Sequence, residues 1–210
     1  MTLSPRRAEV IRVFERYLTE VVERYDFCPW ARLSRESGEL GVEVVWGTPT
    51  LETWVAACQA LLARPETRVA MVIAPELTIG PNALHGLRAE VAACVPSAGV
   101  ADFHPEATID LTTPARLVPF IRRSPDPLLQ LVPFALLDQV RAMPASAALA
   151  LQAQILGGHA APPRKDAAAR IAAANHATVS ADPGDVSRTL DSIAADRATS
   201  YARVGITSSR

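Results

Sequence analysis

The sequence predicts an α/β fold, a small sheet of about three to four strands with helices packed on it, followed by an alanine-rich helical extension. Helical and strand-like patterns alternate through the first half of the chain, which is typical of this class. Apolar residues make up 49% of the 210 residues and charged residues 20%, as in globular proteins. Alanine dominates the last third of the chain. We therefore predict a core domain at residues 1–143 and a helical C-terminal extension at residues 144–210.

The predicted helices begin at recognisable capping residues. Ser4 precedes a proline at the first helical position, and apolar residues then recur at helical spacing to about Tyr25. Thr50, Asn82 and Thr113 stand before three further segments with apolar residues at helical spacing. A short polar side chain at such a position accepts a hydrogen bond from a backbone N–H of the first turn. Four helices are therefore predicted before residue 122.

Strand-like patterns occupy residues 42–46, 68–73 and 99–103, which are short and contain several β-branched residues. Right-handed crossovers would make at least part of the sheet parallel, whereas an antiparallel ferredoxin-like arrangement stays open. Residues 128–143 are interpreted as a helix that is bent or restarted at Pro133. The extension is interpreted as two or three helices that either cover the domain or form a homodimer.

Composition excludes several kinds of partner. The net charge of −1 predicts no general attraction to nucleic acid or anionic membrane, and the aromatic content of 5% argues against an RNA-binding surface. No segment has the length and hydrophobicity of a membrane span, and the charged first 24 residues are unlike a signal peptide. Three widely spaced cysteines fit a reducing compartment. We expect a cytoplasmic protein that binds a small molecule or an anion.

Common catalytic and metal-binding motifs are absent from the sequence. It contains no Walker loop, GxGxxG, GxSxG, HExxH or CxxC pattern. His85, His159 and His176 show no metal-ligand spacing with one another. Candidate functional residues must therefore come from less specific features, and three turns that contain proline supply them.

The first of these turns is Cys28-Pro29, which ends the first predicted helix because the residue before a proline is driven toward extended conformations. A thiolate at Cys28 could ligate a metal or heme iron, or act as a nucleophile if a neighbouring cation lowered its pKa. The alternative interpretation is a small buried hydrophobic residue in a helix-ending turn. Taken alone, the dipeptide favours that alternative.

The second turn, His104-Pro105, follows the last predicted strand. Ligand crevices of open α/β sheets lie at the carboxyl ends of strands, so His104 is a candidate general base or axial metal ligand. Asp102, two residues earlier, could fix the tautomer of the imidazole if the strand continues. The alternative is a structural histidine that is hydrogen-bonded to a backbone carbonyl at the strand end.

The third turn, Arg122-Arg123-Ser124-Pro125, lies between two predicted helices. Two guanidinium groups, a hydroxyl and free backbone N–H groups would form an anion clamp for a carboxylate, a phosphate or a heme propionate. The flanking prolines order the loop in advance, which lowers the entropic cost of binding. The alternative is a solvated basic turn.

Together the three turns resemble an uncharacterised bacterial domain-of-unknown-function family with CPF-A, FHP and RSPxP motifs. The matching segments are Cys28-Pro29-Trp30-Ala31, Phe103-His104-Pro105 and Arg123-Ser124-Pro125-Asp126-Pro127. The resemblance extends from about Val10 to Arg141. Trp30 replaces the usual phenylalanine of this family, and Gln130 stands where the family often has histidine. The resemblance implies no established activity.

A looser resemblance links the chain to the YqcI/YcgG group of heme-dependent N-oxygenases, which also combine a CPF segment with a later arginine-serine motif. It implies that the chain binds heme b, with His104 as the axial ligand and Cys28 as its rival. Arg122, Arg123 and Ser124 would then contact the propionates. The implied function is a heme-binding oxidoreductase, an oxygenase acting on a small amino-acid-like nitrogen compound.

Two other hypotheses follow from the same residues. In the first, the protein is a cofactor-free enzyme or sensor that holds a small anion through Arg122, Arg123 and Ser124. His104 would then be the base and Cys28 a nucleophile. In the second, the protein is a non-enzymatic interaction module that dimerises through its C-terminal helices, and the three turns serve folding alone.

Overall fold

A computed structural model of the chain describes residues 4–28, 30–136 and 167–207. It confirms the predicted α/β class, with a four-stranded mixed sheet and helices against both of its faces. The elements, in chain order, are α1 (Pro5–Tyr17), a π-helical segment (Leu18–Glu23), α2 (Ala31–Glu36), β1 (Leu40–Val44), α3 (Leu51–Leu62), β2 (Val69–Ile73), α4 (Pro81–Cys94), β3 (Ala98–Phe103), α5 (Pro114–Ile121), β4 (Leu128–Pro133), α6 (Ala167–Ala181) and α7 (Pro183–Arg203). None of the helices in these three ranges has the length and apolar character needed to cross a bilayer.

Three of the four predicted helix caps are confirmed. The side chains of Ser4, Thr50 and Thr113 each accept a hydrogen bond from the backbone N–H three residues further along the chain. The prediction for Asn82 was wrong. Helix α4 begins two residues earlier than a cap at Asn82 implies, with Pro81 at its first position and Gly80 as the cap, because proline suits a position whose N–H needs no partner.

The strand order is β1-β2-β4-β3. Strands β1 and β2 are parallel, as the crossover argument predicted for part of the sheet, and β4 runs antiparallel to both of its neighbours. The three predicted strands are confirmed within two residues of their ends. The chain therefore leaves edge strand β3, passes through α5, and returns as β4 between β2 and β3.

Strand β4 corrects the prediction that a helix begins at Leu128. Leu129 and Leu131 are buried on one face of the sheet and Leu128 on the other. A short apolar run that is buried on both faces has no periodicity that separates a strand from a helix. Pro133 ends the strand opposite Ala98, where the missing N–H does not interrupt the pairing.

Two hydrophobic clusters cover the two faces of the sheet. One cluster packs α3 and α4 against the sheet around the fully buried Trp54. The other contains α1, the π-helical segment and α5, together with residues of both C-terminal helices. Val179 of α6 and Ile193 of α7 are buried in this second cluster. The described C-terminal helices therefore complete the core that the first half of the chain begins.

Charged contacts also join α7 to α1. Asp196 accepts hydrogen bonds from Arg12 and Arg16, two residues one turn apart on α1. These pairs are partly exposed, so each contributes little stability alone, and the shared carboxylate fixes how α7 lies along α1. Of the two roles predicted for the extension, covering the domain is the one that the contacts show. The homodimer stays a prediction, and residues 137–166 lie outside the described ranges.

Candidate functional site

The second and third predicted turns lie side by side at the C-terminal end of β3. The backbone N–H of His104 donates to the carbonyl of Arg122 at 3.1 Å. The Arg123 side chain donates through Nε to the carbonyl of Pro105 at 3.0 Å. The turn after β3 and the turn after α5 are thus joined by two hydrogen bonds, although about twenty residues separate them in the sequence.

The imidazole of His104 is buried, with 5% of the residue exposed, and both ring nitrogens have backbone partners. Nδ1 accepts from the backbone N–H of Glu106 at 3.1 Å, so the ring proton lies on Nε2, which is 2.7 Å from the carbonyl of Ile79. A ring bonded in this way has no lone pair left for a metal or for a substrate proton. Neither the general base nor the axial ligand fits this placement, and the structural alternative does.

Asp102 does not pair with His104, contrary to the prediction. Its carboxylate lies 3.3 Å from Nδ1 of His85 and 3.6 Å from Nε of Arg88, both on α4. The prediction assumed that the alternation of β3 continues to residue 104. The strand ends at Phe103, and the backbone of His104 turns to bond with Arg122.

The predicted anion clamp of Arg122, Arg123 and Ser124 is not formed as a unit. Arg123 is held by Pro105 and also donates to Asp191 of α7 at 3.1 Å. Ser124 is buried, and its hydroxyl donates to the backbone carbonyl of Asp126. Contacts within the protein therefore occupy two of the three predicted ligand-binding side chains, Arg123 and Ser124.

Asp126 is the residue of this loop that sequence reasoning missed. Its buried carboxylate accepts from Nε of Arg197 at 2.7 Å and from the hydroxyl of Tyr201 at 2.6 Å. Burial raises the pKa of Asp126, and the two donors oppose that rise. Burial and the Asp126 charge raise the pKa of Tyr201, so its hydroxyl stays protonated and donates. The only sequence signal was an acidic residue between two prolines.

Arg122 contacts none of the partners of Arg123, and its guanidinium carbon lies 5.6 Å from the centre of the Phe103 ring. The side chain is half-buried, and burial lowers its pKa, an effect that the nearby Asp102 and Tyr17 partly oppose. Within the described part of the chain, no hydrogen bond or ion pair joins its guanidinium group to another residue. Arg122 is thus a partly desolvated cation whose N–H donors are not used by any described residue.

Tyr17 connects Arg122 with the first predicted turn. Its buried hydroxyl donates to the carbonyl of Ile121 at 3.2 Å, and its ionisation is influenced by both Arg122 and Cys28. We call Tyr17, Cys28, Phe103 and Arg122 the Arg122 cluster. Tyr17 belongs to the hydrophobic cluster on the α1 side of the sheet, and Cys28 and Phe103 pack against that cluster. Arg122 lies over the Phe103 ring.

The thiol of Cys28 is partly buried in the turn that follows the π-helical segment. Burial raises its pKa, and backbone N–H groups of Trp30 and Ala31 only partly oppose this. A raised pKa favours the neutral thiol, which is a poor nucleophile and a poor metal ligand. This placement fits the alternative of a small apolar residue in a turn. Pro29 lies outside the described residues.

The residues that the resemblance assigns to heme b do not fit that group as they are placed. Both nitrogens of His104 are bonded to backbone, and Arg123 and Ser124 are held by partners within the fold. Across the described ranges, no group of three or more His, Cys, Asp or Glu residues is arranged to hold a metal ion. The expectation of heme therefore rests on the resemblance alone.

A shallow groove borders the joined turns. It consists of two adjoining depressions that share Pro105 and Arg123, and the larger has a volume of about 330 Å³. The residues that line it come from the segment after β3, from α5 and the loop after it, and from α7, and they include Pro105, Glu106, Ile109, Phe120, Arg123, Ser187, Leu190 and Ile193. The groove is open to solvent, and its one arginine is already paired with Asp191.

Comparison with protein families, with curated proteins and with solved structures finds no match for this chain. The resemblance to the CPF-A, FHP and RSPxP family accordingly stays a prediction.

We predict that His104→Ala lowers the free energy of unfolding by about 2–4 kcal/mol, because it removes a buried imidazole together with its hydrogen bonds to the Ile79 carbonyl and the Glu106 N–H. Urea unfolding followed by circular dichroism measures this change. His85→Ala is the matched control, with a cost below about 1 kcal/mol expected because the His85 side chain is 64% exposed. Equal losses in the two variants would contradict a structural role for His104.

We predict that Cys28 reacts slowly with a neutral thiol reagent and titrates above the free-thiol value of about 8.5, because burial raises its pKa. Below that pKa its thiolate fraction falls about tenfold for each unit of pH. Peptide mass spectrometry of the labelled protein follows the exposed Cys94 as the control in the same sample. A Cys28 that titrates at or below the midpoint of Cys94 would restore the nucleophile hypothesis.

Proposed function

We propose that the protein binds a small carboxylate at Arg122. The observation that carries this proposal is the half-buried guanidinium whose N–H groups find no acceptor among the described residues. Removing a charge from water without a partner is costly, so such a group is stabilised when an anion occupies the adjacent space. Among the arginines of the two joined turns, Arg123 already has its acceptors, and Arg122 does not.

A carboxylate is the anion that suits this geometry. The guanidinium carbon lies 5.6 Å over the Phe103 ring, a contact that uses none of the N–H donors. A planar guanidinium edge matches the two oxygens of a carboxylate in a bidentate pair, the strongest form of this contact. The buried Tyr17 and the neutral thiol of Cys28 border the same region and offer an apolar environment to a small organic group.

Binding rather than covalent catalysis agrees with the other residues of the cluster. The Cys28 thiol is disfavoured as a nucleophile by its raised pKa, and His104 has no free ring nitrogen to take a proton. Asp126 and its two donors hold the loop after Arg122 in place before any ligand arrives. A preformed loop lowers the entropic cost of binding, which suits a sensor or a carrier.

We predict that Arg122→Gln weakens carboxylate binding about tenfold or more, because an amide cannot supply a charged bidentate edge. The experiment titrates ¹⁵N-labelled protein with acetate, pyruvate and succinate at constant ionic strength. The matched control is Arg116→Gln, which removes an exposed arginine that is paired with Asp110. Wild type and Arg116→Gln should show the same saturable shifts near Tyr17 and Ile121.

Two outcomes of this titration would overturn the proposal. One is the absence of saturable shifts with all three carboxylates, and the other is equal binding by Arg122→Gln and Arg116→Gln. Added hemin distinguishes a heme propionate from a free carboxylate, because only bound heme produces a Soret band. A Soret band that is lost in Arg122→Gln would support the heme-binding oxidoreductase instead.

A further inference from the structure

A second group of polar residues lies on the α4 side of the sheet, at the end of β3. His85 and Arg88 are one helical turn apart and share a face of α4. Both are turned toward Asp102, with Nδ1 of His85 3.3 Å from each carboxylate oxygen and Nε of Arg88 3.6 Å from one of them. Neighbouring residues of a strand point to opposite faces of the sheet. Asp102 contacts His85 and Arg88, whereas Phe103 belongs to the Arg122 cluster, so the two groups lie on different sides of β3.

The carboxylate of Asp102 orients the imidazole of His85. A hydrogen bond from Nδ1–H to Asp102 leaves Nε2 directed away from the strand, and the side chain is 64% exposed. In the neutral ring, Nε2 can only accept, and its neighbour is Nη2 of Arg88 at 3.4 Å. That long contact is weak, so Nε2 is held in a fixed direction without a strong partner.

Arg88 is also incompletely bonded. Its Nε atom is buried and makes no hydrogen bond to any residue that the structure describes, since the 3.6 Å approach to Asp102 is too long for one. The Asp102 carboxylate therefore faces both the Arg88 guanidinium and the His85 imidazole. It also raises the pKa of Arg122, which the positive charge of Arg88 lowers. When His85 gains a proton, two adjacent cations share a single anionic partner, and a second anion would relieve their repulsion.

We propose that His85 and Arg88 form a binding site for a phosphate group, which is filled when His85 is protonated. Protonated Nε2 and Nη2 of Arg88 would donate to two oxygens of one phosphate, while Asp102 keeps its bond to Nδ1. The bridging phosphate replaces the weak 3.4 Å contact with two charge-assisted hydrogen bonds. The chemical class of ligand is inorganic phosphate or a phosphate monoester, and this site lies on the other side of β3 from the carboxylate site at Arg122.

The proposal predicts linkage between phosphate and proton binding. Because the protonated form of His85 is the one that binds, phosphate raises the pH at which His85 titrates. The rise is roughly one pH unit when phosphate is present at ten times its dissociation constant. The groups that face His85 within the described ranges are Asp102 of β3, Arg88 of α4 and, through Asp102, Arg122 after α5.

The test follows the ring ¹H and ¹³C resonances of His85 against pH, with sodium phosphate or with sodium chloride at the same ionic strength. His176, whose Nε2 lies 2.9 Å from the carbonyl of Leu111, reports non-specific effects within the same sample. Arg88→Gln should abolish most of the rise, and Arg88→Lys should keep part of it. Arg116→Gln, which removes one exposed positive charge elsewhere, should behave as wild type.

Every outcome of this titration either supports or overturns the phosphate site. A rise at His85 that is specific to phosphate, kept in Arg116→Gln and lost in Arg88→Gln supports the site. The proposal is overturned if phosphate and chloride give the same His85 midpoint in the wild-type protein, a result that needs no variant to fold. It is overturned equally if His176 shifts as much as His85, or if Arg88→Gln retains the full rise.

Discussion

The buried carboxylate of Asp126 is the interaction on which the arrangement of this molecule depends. Its two oxygens receive hydrogen bonds from Arg197 and Tyr201 of α7, and Arg197 also donates to the carbonyl of Pro75 after β2. A charge in this environment is costly unless it is fully hydrogen-bonded. The loop before β4, the turn after β2 and the last described helix are therefore tied at one point in the interior.

This anchor determines which way the neighbouring arginines point. Ser124 bonds to the backbone of Asp126, and the short turn that results sends Arg123 toward Pro105 and α7. Arg122, at the end of α5, is left over Phe103 on the side of the sheet that packs against α1. The loop that the sequence suggested as an anion clamp thus contains one structural arginine, Arg123, and one arginine, Arg122, whose N–H donors no described residue accepts from.

Local features of the structure could be predicted from the sequence. Capping at Thr50 and Thr113 and the position of His104 after a strand were predictable, because each depends on residues close together in the chain. Two features were not predictable. Strand β4 is apolar on both faces and lacks a period, and Asp126 meets Arg197 and Tyr201 more than 70 residues later. Pairings over such distances are set by packing, which a single sequence does not display.

A double-mutant cycle on Asp126→Asn and Tyr201→Phe tests the central role of the buried carboxylate most directly. Urea unfolding gives the free energy of unfolding of the wild-type protein, of each single variant and of the double variant. We predict a cost of about 3–5 kcal/mol for Asp126→Asn, because Arg197 loses its buried counter-charge. The two changes should be coupled by about 1–3 kcal/mol. Losses that add to within about 0.3 kcal/mol, or a negligible cost for Asp126→Asn, would contradict this account.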